Sequence, residues 1–188
     1  MAKVIVVLAD GFEEIEAVSV IDILRRAEVE VVVAGLRDSL IKGAQGLMIK
    51  PDCALESLDG DDFEMIVLPG GTQGARNILN DAVCDRLLRK FAEEDKYIAA
   101  ICAAPFVLAE KGLLKGCMAT SYPGFKDIVE KDAEYQEAIV VVDENIITSR
   151  GPATAAEFAF TLVELLVEED TAEKLREGML FSYVDDED

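Results

Sequence analysis

Short runs of β-branched and aliphatic residues alternate with helix-period segments along most of this chain. Lys3–Leu8 (KVIVVL) is apolar at nearly every position and stops at Asp10-Gly11, which predicts a buried strand and its turn. Residues 13–27 carry Ile15, Val18, Ile21 and Leu24 at roughly the helical period, and residues 29–35 (VEVVVAG) read as a second strand. Gly43, Gly46 and Pro51 break residues 40–51 into a short hairpin, and Met65–Leu68 is a strand closing on Pro69-Gly70-Gly71. A helix over 82–94, a strand over 97–101 and a helix over 103–111 follow, the last stopped by Gly112. Residues 117–120 and 138–148 predict short strands, the second interrupted at Asp143-Glu144-Asn145, and 153–167 a long helix after Gly151-Pro152.

Strands that are apolar on both faces, alternating with helices, imply a parallel sheet covered on both sides. The expected fold is a single doubly wound α/β domain over residues 1–188, with no internal repeat or Pro/Ser linker. Ligands of such folds sit at the carboxyl ends of the strands. That directs attention to three turns, at residues 10–16, 69–74 and 102–105.

Composition narrows the chemistry. Hydrophobic residues make up 51% of the 188, enough for a core of its own, while the net charge is −20. A chain this acidic repels polyanions, so nucleic acid and anionic membrane surfaces are not expected partners. No apolar run approaches the length of a membrane span, and the N-terminal one is too short for a signal sequence. The four cysteines are irregularly spaced without a C-x-x-C, which suggests reduced thiols in a cytoplasmic protein and no zinc site. There is no histidine at all. Ser-His and Cys-His dyads and imidazole-based metal sites are thereby excluded. Ten acidic residues against two basic ones crowd positions 164–188, and an acidic solvated tail is expected from about residue 182. It lacks the D-x-D-x-D-G spacing of a calcium loop.

Cys102 is the residue whose setting suggests reactivity. It closes an apolar strand and precedes Ala103-Ala104-Pro105, small neighbours and then a helix-starting proline. That is the layout of a nucleophile elbow, and a helix N-terminus favours a thiolate; a small buried core cysteine is the competing reading. Gly70 and Gly71 would let backbone N–H groups approach a ligand oxygen, although the same pair suits an ordinary turn. Glu13, Glu14 and Glu16 open the first helix, where acidic residues complement the macrodipole. One of them could serve the thiol as an acid, but their neighbours four residues on are all apolar and do not say which.

Four stretches taken in order resemble the ThiJ/PfpI superfamily, in the branch of the parkinsonism-associated deglycase and its bacterial chaperone-like relatives. They are Leu8-Ala-Asp-Gly-Phe-Glu-Glu-Ile-Glu16, Val67-Leu-Pro-Gly-Gly71, Ala99-Ala-Ile-Cys-Ala-Ala-Pro105 and Thr148-Ser-Arg-Gly-Pro152. The resemblance implies a flavodoxin-like sandwich of the class I glutamine amidotransferase type, a homodimer, no cofactor and no metal. It implies Cys102 as the reactive cysteine, selects Glu16 as its partner carboxyl, and assigns the Gly71 and Ala103 amides, beside Gly70, to an oxyanion pocket. Two anions in contact oppose each other, so a protonated Glu16 donating to a thiolate is expected. Such a thiolate is prone to oxidation to sulfinic acid. Ala103 stands where protease-like members carry His, which argues against a peptidase. Tyr122 stands where glyoxal-converting members often carry His, Gln45 replaces an anion-binding Arg, and Arg26 matches one that approaches the partner subunit's site. The implied function is action on small aldehydes or dicarbonyls, of glyoxalase or deglycase type. The alternatives are a redox sensor or chaperone working through Cys102, and, less supported because no phosphate loop is visible, a thiamine-pathway role.

Overall fold

The computed structural model describes residues 1–181, so the acidic tail expected from about residue 182 lies outside the described residues. Strand β1 (Lys3–Leu8) leads to helix α1 (Glu14–Arg26) and β2 (Glu30–Gly35). A hairpin of β3 (Ile41–Lys42) and β4 (Met48–Ile49) precedes β5 (Cys53–Ala54) and β6 (Met65–Leu68). Helices α2 (Thr72–Leu79) and α3 (Ala82–Glu93) are followed by β7 (Tyr97–Ile101) and α4 (Pro105–Glu110). Next come β8 (Met118–Ala119), α5 (Lys126–Val129), β9 (Glu134–Tyr135), β10 (Val140–Asp143) and β11 (Ile146–Ser149). Helices α6 (Ala155–Leu166) and α7 (Glu169–Gly178) close the described chain.

Seven strands form one sheet in the order β10-β11-β7-β6-β1-β2-β5, parallel throughout except for β10 against β11. The central strands are apolar at every position because both faces are covered. Along β1, Ile5 and Val7 pack towards α2, α3, α4 and α5, while Val4, Val6 and Leu8 pack towards α1, α6 and α7. This is the mostly parallel α/β sandwich that the alternation predicts. No helix among the described residues is long and apolar enough to cross a membrane.

Several boundaries move for local reasons. The helix expected over 103–111 runs only over Pro105–Glu110, because Cys102 to Ala104 form a tight turn in front of it. Helix α2 was not expected: Gly74 and a polar face mask it, and among its residues only Gly74, Ala75 and Ile78 are buried. Helix α7 was also unexpected, since it buries Ala172 alone. It is fastened to α6 by a bidentate Arg176–Glu157 ion pair and by Arg176 lying over the Phe160 ring. The interruption near residue 144 is a hairpin turn between β10 and β11, with Glu144 at φ +51°.

Phe158 is fully buried in the layer of α1 and α6 against the sheet. Phe158→Ala should cost about 3–5 kcal/mol of unfolding free energy, from lost apolar burial plus the cavity left behind. Urea denaturation measures it, and a cost below about 1 kcal/mol would remove this layer from the core.

Candidate active site

The site begins at the end of β7, where the chain must turn sharply into α4. Cys102 takes φ +65°, a left-handed conformation that costs a non-glycine residue roughly 1–2 kcal/mol. Its neighbours hold it there: Cys102 N–H donates to Ser149 O at 2.9 Å, and Cys102 O accepts from Tyr122 N–H at 2.8 Å. The side chain is thereby aimed out of the sheet, as an elbow requires.

Opposite it lies the turn after β6. A Cβ at Gly70 would stand 2.6 Å from Cys102 Cβ and 2.9 Å from Ile101 O, so only glycine permits this approach. Gly71 adopts φ +86° as it enters α2, and its amide, with that of Ala103, hydrogen-bonds the Cys102 sulfur. Two backbone donors on one sulfur form the kind of cradle that stabilises a developing anion.

The structure separates the three glutamates that the sequence left equivalent. Glu16 is fully buried; its Oε2 accepts from Gly70 N–H at 2.8 Å, and its carboxyl hydrogen-bonds the Cys102 thiol. Glu14 instead holds the β3–β4 hairpin, its Oε1 accepting from Gln45 N–H at 2.7 Å and Leu47 N–H at 3.2 Å. Glu13 lines the open cleft, and burial, aided by the nearby Glu14 charge, moves its carboxyl above the usual range.

Burial pushes Glu16 up to about 7; its hydrogen bonds to Cys102 and Gly70 pull the other way but do not prevail. The Cys102 thiol is also driven up, first by burial and then by the charge and hydrogen bond of Glu16, against the pull of the Gly71 and Ala103 amides. A helix-dipole bias towards thiolate is therefore opposed here, and α4 is only six residues long. Two anions in contact are disfavoured, so the pair titrates as a unit that shares one proton over a wide pH range. Glu16 Oε1 has no partner of hydrogen-bonding geometry among the described residues, which further disfavours a bare carboxylate.

A cleft of about 900 Å³ opens over the sulfur and is lined by Gly71, Cys102 and Tyr122. Tyr122 is half exposed, with its ring lying over Gly151 and Gly124. Gln45 also lines the cleft. Arg26 does not: it sits at the far end of α1, roughly 15 Å along the helix from Glu16, paired with Asp22 at 2.7 Å. Sequence reading missed Asp10, Arg37 and Lys42 on the rim. Only the Asp10-Gly11 turn signal pointed there, and the contacts joining these residues span long sequence separations. The other thiols differ from Cys102: Cys84 is buried and pushed up to about 12, while Cys53 and Cys117 are half-buried outside the cleft.

The class these features define is an α/β sandwich with a cysteine at a strained strand-to-helix elbow and a buried carboxyl behind it. This chain belongs to the DJ-1/PfpI family, whose profile matches residues 2–165. It is 40% identical to the Drosophila melanogaster protein dj-1beta over 181 residues, covering 95% of this chain and 97% of that protein. The crystal structure of that Drosophila protein superposes with a TM-score of 0.93 at 39% identity, over 95% of this chain and 97% of its own. The oxidized DJ-1 of Toxoplasma gondii gives 0.92 at 40% identity, covering 96% and 98%. A protein of Pyrococcus abyssi named a deglycase is 34% identical over 165 residues, 87% of this chain and 99% of its own length.

The raised Glu16 value has a defined effect on stability. A coupled pair that loses its first proton at about 7 in the folded state, against 4.5 for an exposed carboxyl, stabilises the fold fully below 4.5 and loses that contribution as pH rises towards 7. The loss approaches about 3 kcal/mol at 1.36 kcal/mol per unit. Glu16→Gln cannot ionise, so relative to the wild type it should gain stability progressively between these values. Chemical denaturation of both proteins across that range measures it, and a pH-independent difference would contradict the raised value.

Proposed function

We propose that this protein is a cofactor-independent enzyme acting on small dicarbonyls, such as glyoxal and methylglyoxal, or on their thiol and amine adducts. The observation that carries the reading is the Glu16–Cys102 pair with the Gly71 and Ala103 amides at sulfur, at the base of an open cleft. Hydrogen-bond supply supports placing the negative charge on sulfur, which has two amide donors, rather than on a carboxylate with one. Glu16 then holds the proton and donates it.

The chemistry follows from that arrangement. The thiolate attacks the aldehyde carbon, a C–S bond forms, and the carbonyl π pair moves to oxygen, which takes the proton from Glu16. The resulting Glu16 carboxylate removes the hydrogen on the hemithioacetal carbon, and the neighbouring carbonyl carbon is protonated through the enediol. The product is a thioester of a 2-hydroxy acid. Water hydrolyses it, releasing the 2-hydroxy acid and restoring the thiolate and the protonated Glu16. The sequence is redox-neutral and consumes one water. Tyr122, at the cleft wall, is placed to donate a hydrogen bond to the substrate oxygen through its hydroxyl.

A second reading, a redox sensor or chaperone, is favoured by one contrast: Cys102 opens to the cleft, whereas Cys84 is fully enclosed. The similar Toxoplasma gondii structure is itself described as oxidized. A homodimer fits either reading. Ile15 and Val18 of α1 are exposed, as are Leu47 and Met48 of the hairpin that Glu14 ties to the same helix. That apolar face suits a second copy of this chain.

Wild type should convert methylglyoxal to lactate and Cys102→Ser should not. Lactate formation by neither, together with peroxide-driven sulfinate on Cys102 before Cys53 or Cys117, would favour the redox reading. With Glu16 as proton donor, Glu16→Leu should slow Cys102 alkylation near neutral pH by about tenfold or more, and Glu16→Gln should preserve it. Faster alkylation of Glu16→Leu would mean that Glu16 is the anion. Sedimentation should show a dimer that weakens at low salt, where a net charge of −20 repels itself; a monomer at all salt concentrations would contradict it.

A further inference from the structure

One rim of the cleft is built where the chain at Lys42 crosses the Asp10-Gly11 turn. Lys42 N–H donates to Asp10 Oδ1 at 2.9 Å, and Lys42 O accepts from Gly11 N–H at 2.7 Å. Gly11 O accepts from Gly74 N–H at 3.2 Å and sits so close to Gly71 that a Cβ there has no room. A single rigid turn therefore connects Lys42 to the residue whose amide touches the Cys102 sulfur.

Lys42 and Arg37 are the cations lining the cleft, and they differ. Arg37 is neutralised by Asp10 at 2.6 Å and also donates to Leu40 O at 3.0 Å. The Lys42 side chain makes no hydrogen bond or ion pair among the described residues. A cation with a fixed partner offers little to a ligand, whereas an unpaired one, fixed at its backbone, attracts an anion. The same cleft presents Tyr122, Phe125 and Met48, an apolar lining. Its volume of about 900 Å³ lies in the range that holds a drug-sized ligand, far more than a three-carbon dicarbonyl needs.

We propose that Lys42 is the anion-binding residue of a substrate subsite, and that the substrate is an aldehyde or dicarbonyl with an apolar body and a carboxylate remote from the reacting carbonyl. The inference deepens the enzymatic reading and rests on Cys102 as the attacking thiol. Asp10 and Glu13 also line the cleft, so a single cation without a fixed partner suits a monoanionic carboxylate rather than a dianionic phosphate. On binding, the carboxylate pairs with Lys42 and the body lies against Tyr122 and Phe125. The sulfur adds to the carbonyl carbon, whose oxygen takes the Glu16 proton, with no oxidant or reductant involved.

Phenylglyoxal and 4-carboxyphenylglyoxal test this, because they differ only in the remote carboxylate. Wild type should prefer the carboxylated compound in kcat/KM by about fivefold, the scale of a partly exposed ion pair. Lys42→Met should abolish that preference, bringing the kcat/KM ratio of the two compounds to about one, and Lys42→Arg should retain it. Lys115→Met, which removes a surface charge outside the cleft, should leave the ratio unchanged. Cys102→Ser serves as the blank for reaction of these reagents with arginine. Equal rates for the two compounds in wild type, or a preference that survives Lys42→Met, would overturn the proposal. Alkylation of Cys102 by iodoacetanilide and its 4-carboxy derivative, read by mass spectrometry, gives the same comparison without turnover. If neither glyoxal is converted but this alkylation ratio falls in Lys42→Met, the enzymatic reading fails and the anion subsite stands. An alkylation ratio unmoved by Lys42→Met sinks the subsite, whatever the turnover.

Discussion

A carboxyl and a thiol buried against each other cannot both be charged, and the rest of the site is arranged around that constraint. Glu16 is fully enclosed, with one backbone donor and the thiol for company. Cys102 has two backbone donors and the carboxyl. One proton shared between them leaves one negative charge, and the position of that proton decides whether the sulfur is inert or nucleophilic. The fold supplies the geometry at a cost in backbone strain at Cys102 and in an ionisable group kept from water.

That cost is sustained because the surrounding turns lock one another. Gly70 O accepts from Glu13 N–H at 3.0 Å, Gly74 N–H reaches Gly11 O, and Cys102 exchanges backbone hydrogen bonds with Ser149 and Tyr122. Four strand-end segments are thus tied together at the carboxyl edge of the sheet. The sheet beneath is apolar on both faces and densely packed, so these turns have little freedom to relax. Strain confined to one residue persists when its neighbours over-determine it, and here they do.

How much of this could be read from the sequence depended on the range of the interactions. Strands β1, β2, β6 and β7 were legible because burial on both faces makes them continuous apolar runs. Helices α2 and α7 were not, because each hides few residues and the hydrophobic period is too sparse to register. The elbow at Cys102 announced itself through a local signal, a strand followed by small residues and proline. The division of labour among Glu13, Glu14 and Glu16 had no local signal at all. It is set by Gly70 N–H, 54 residues from Glu16, and by the hairpin amides of Gln45 and Leu47. Only the family resemblance could single out Glu16 in advance. Lys42 and Asp10 meet through a side chain-to-backbone contact 32 residues apart, which no periodicity encodes.

Infrared difference spectroscopy locates the shared proton directly, because a protonated carboxyl and a thiol S–H absorb in separate regions. The measurement is best made about one unit above 7, where the pair as a unit has lost its first proton and the second is still shared. A thiolate beside a protonated Glu16 gives a protonated-carboxyl band that disappears in Glu16→Gln, and S–H bands from the other three cysteines alone, unchanged by Cys102→Ser. An S–H band that vanishes with Cys102→Ser, with no protonated carboxyl at Glu16, would contradict it.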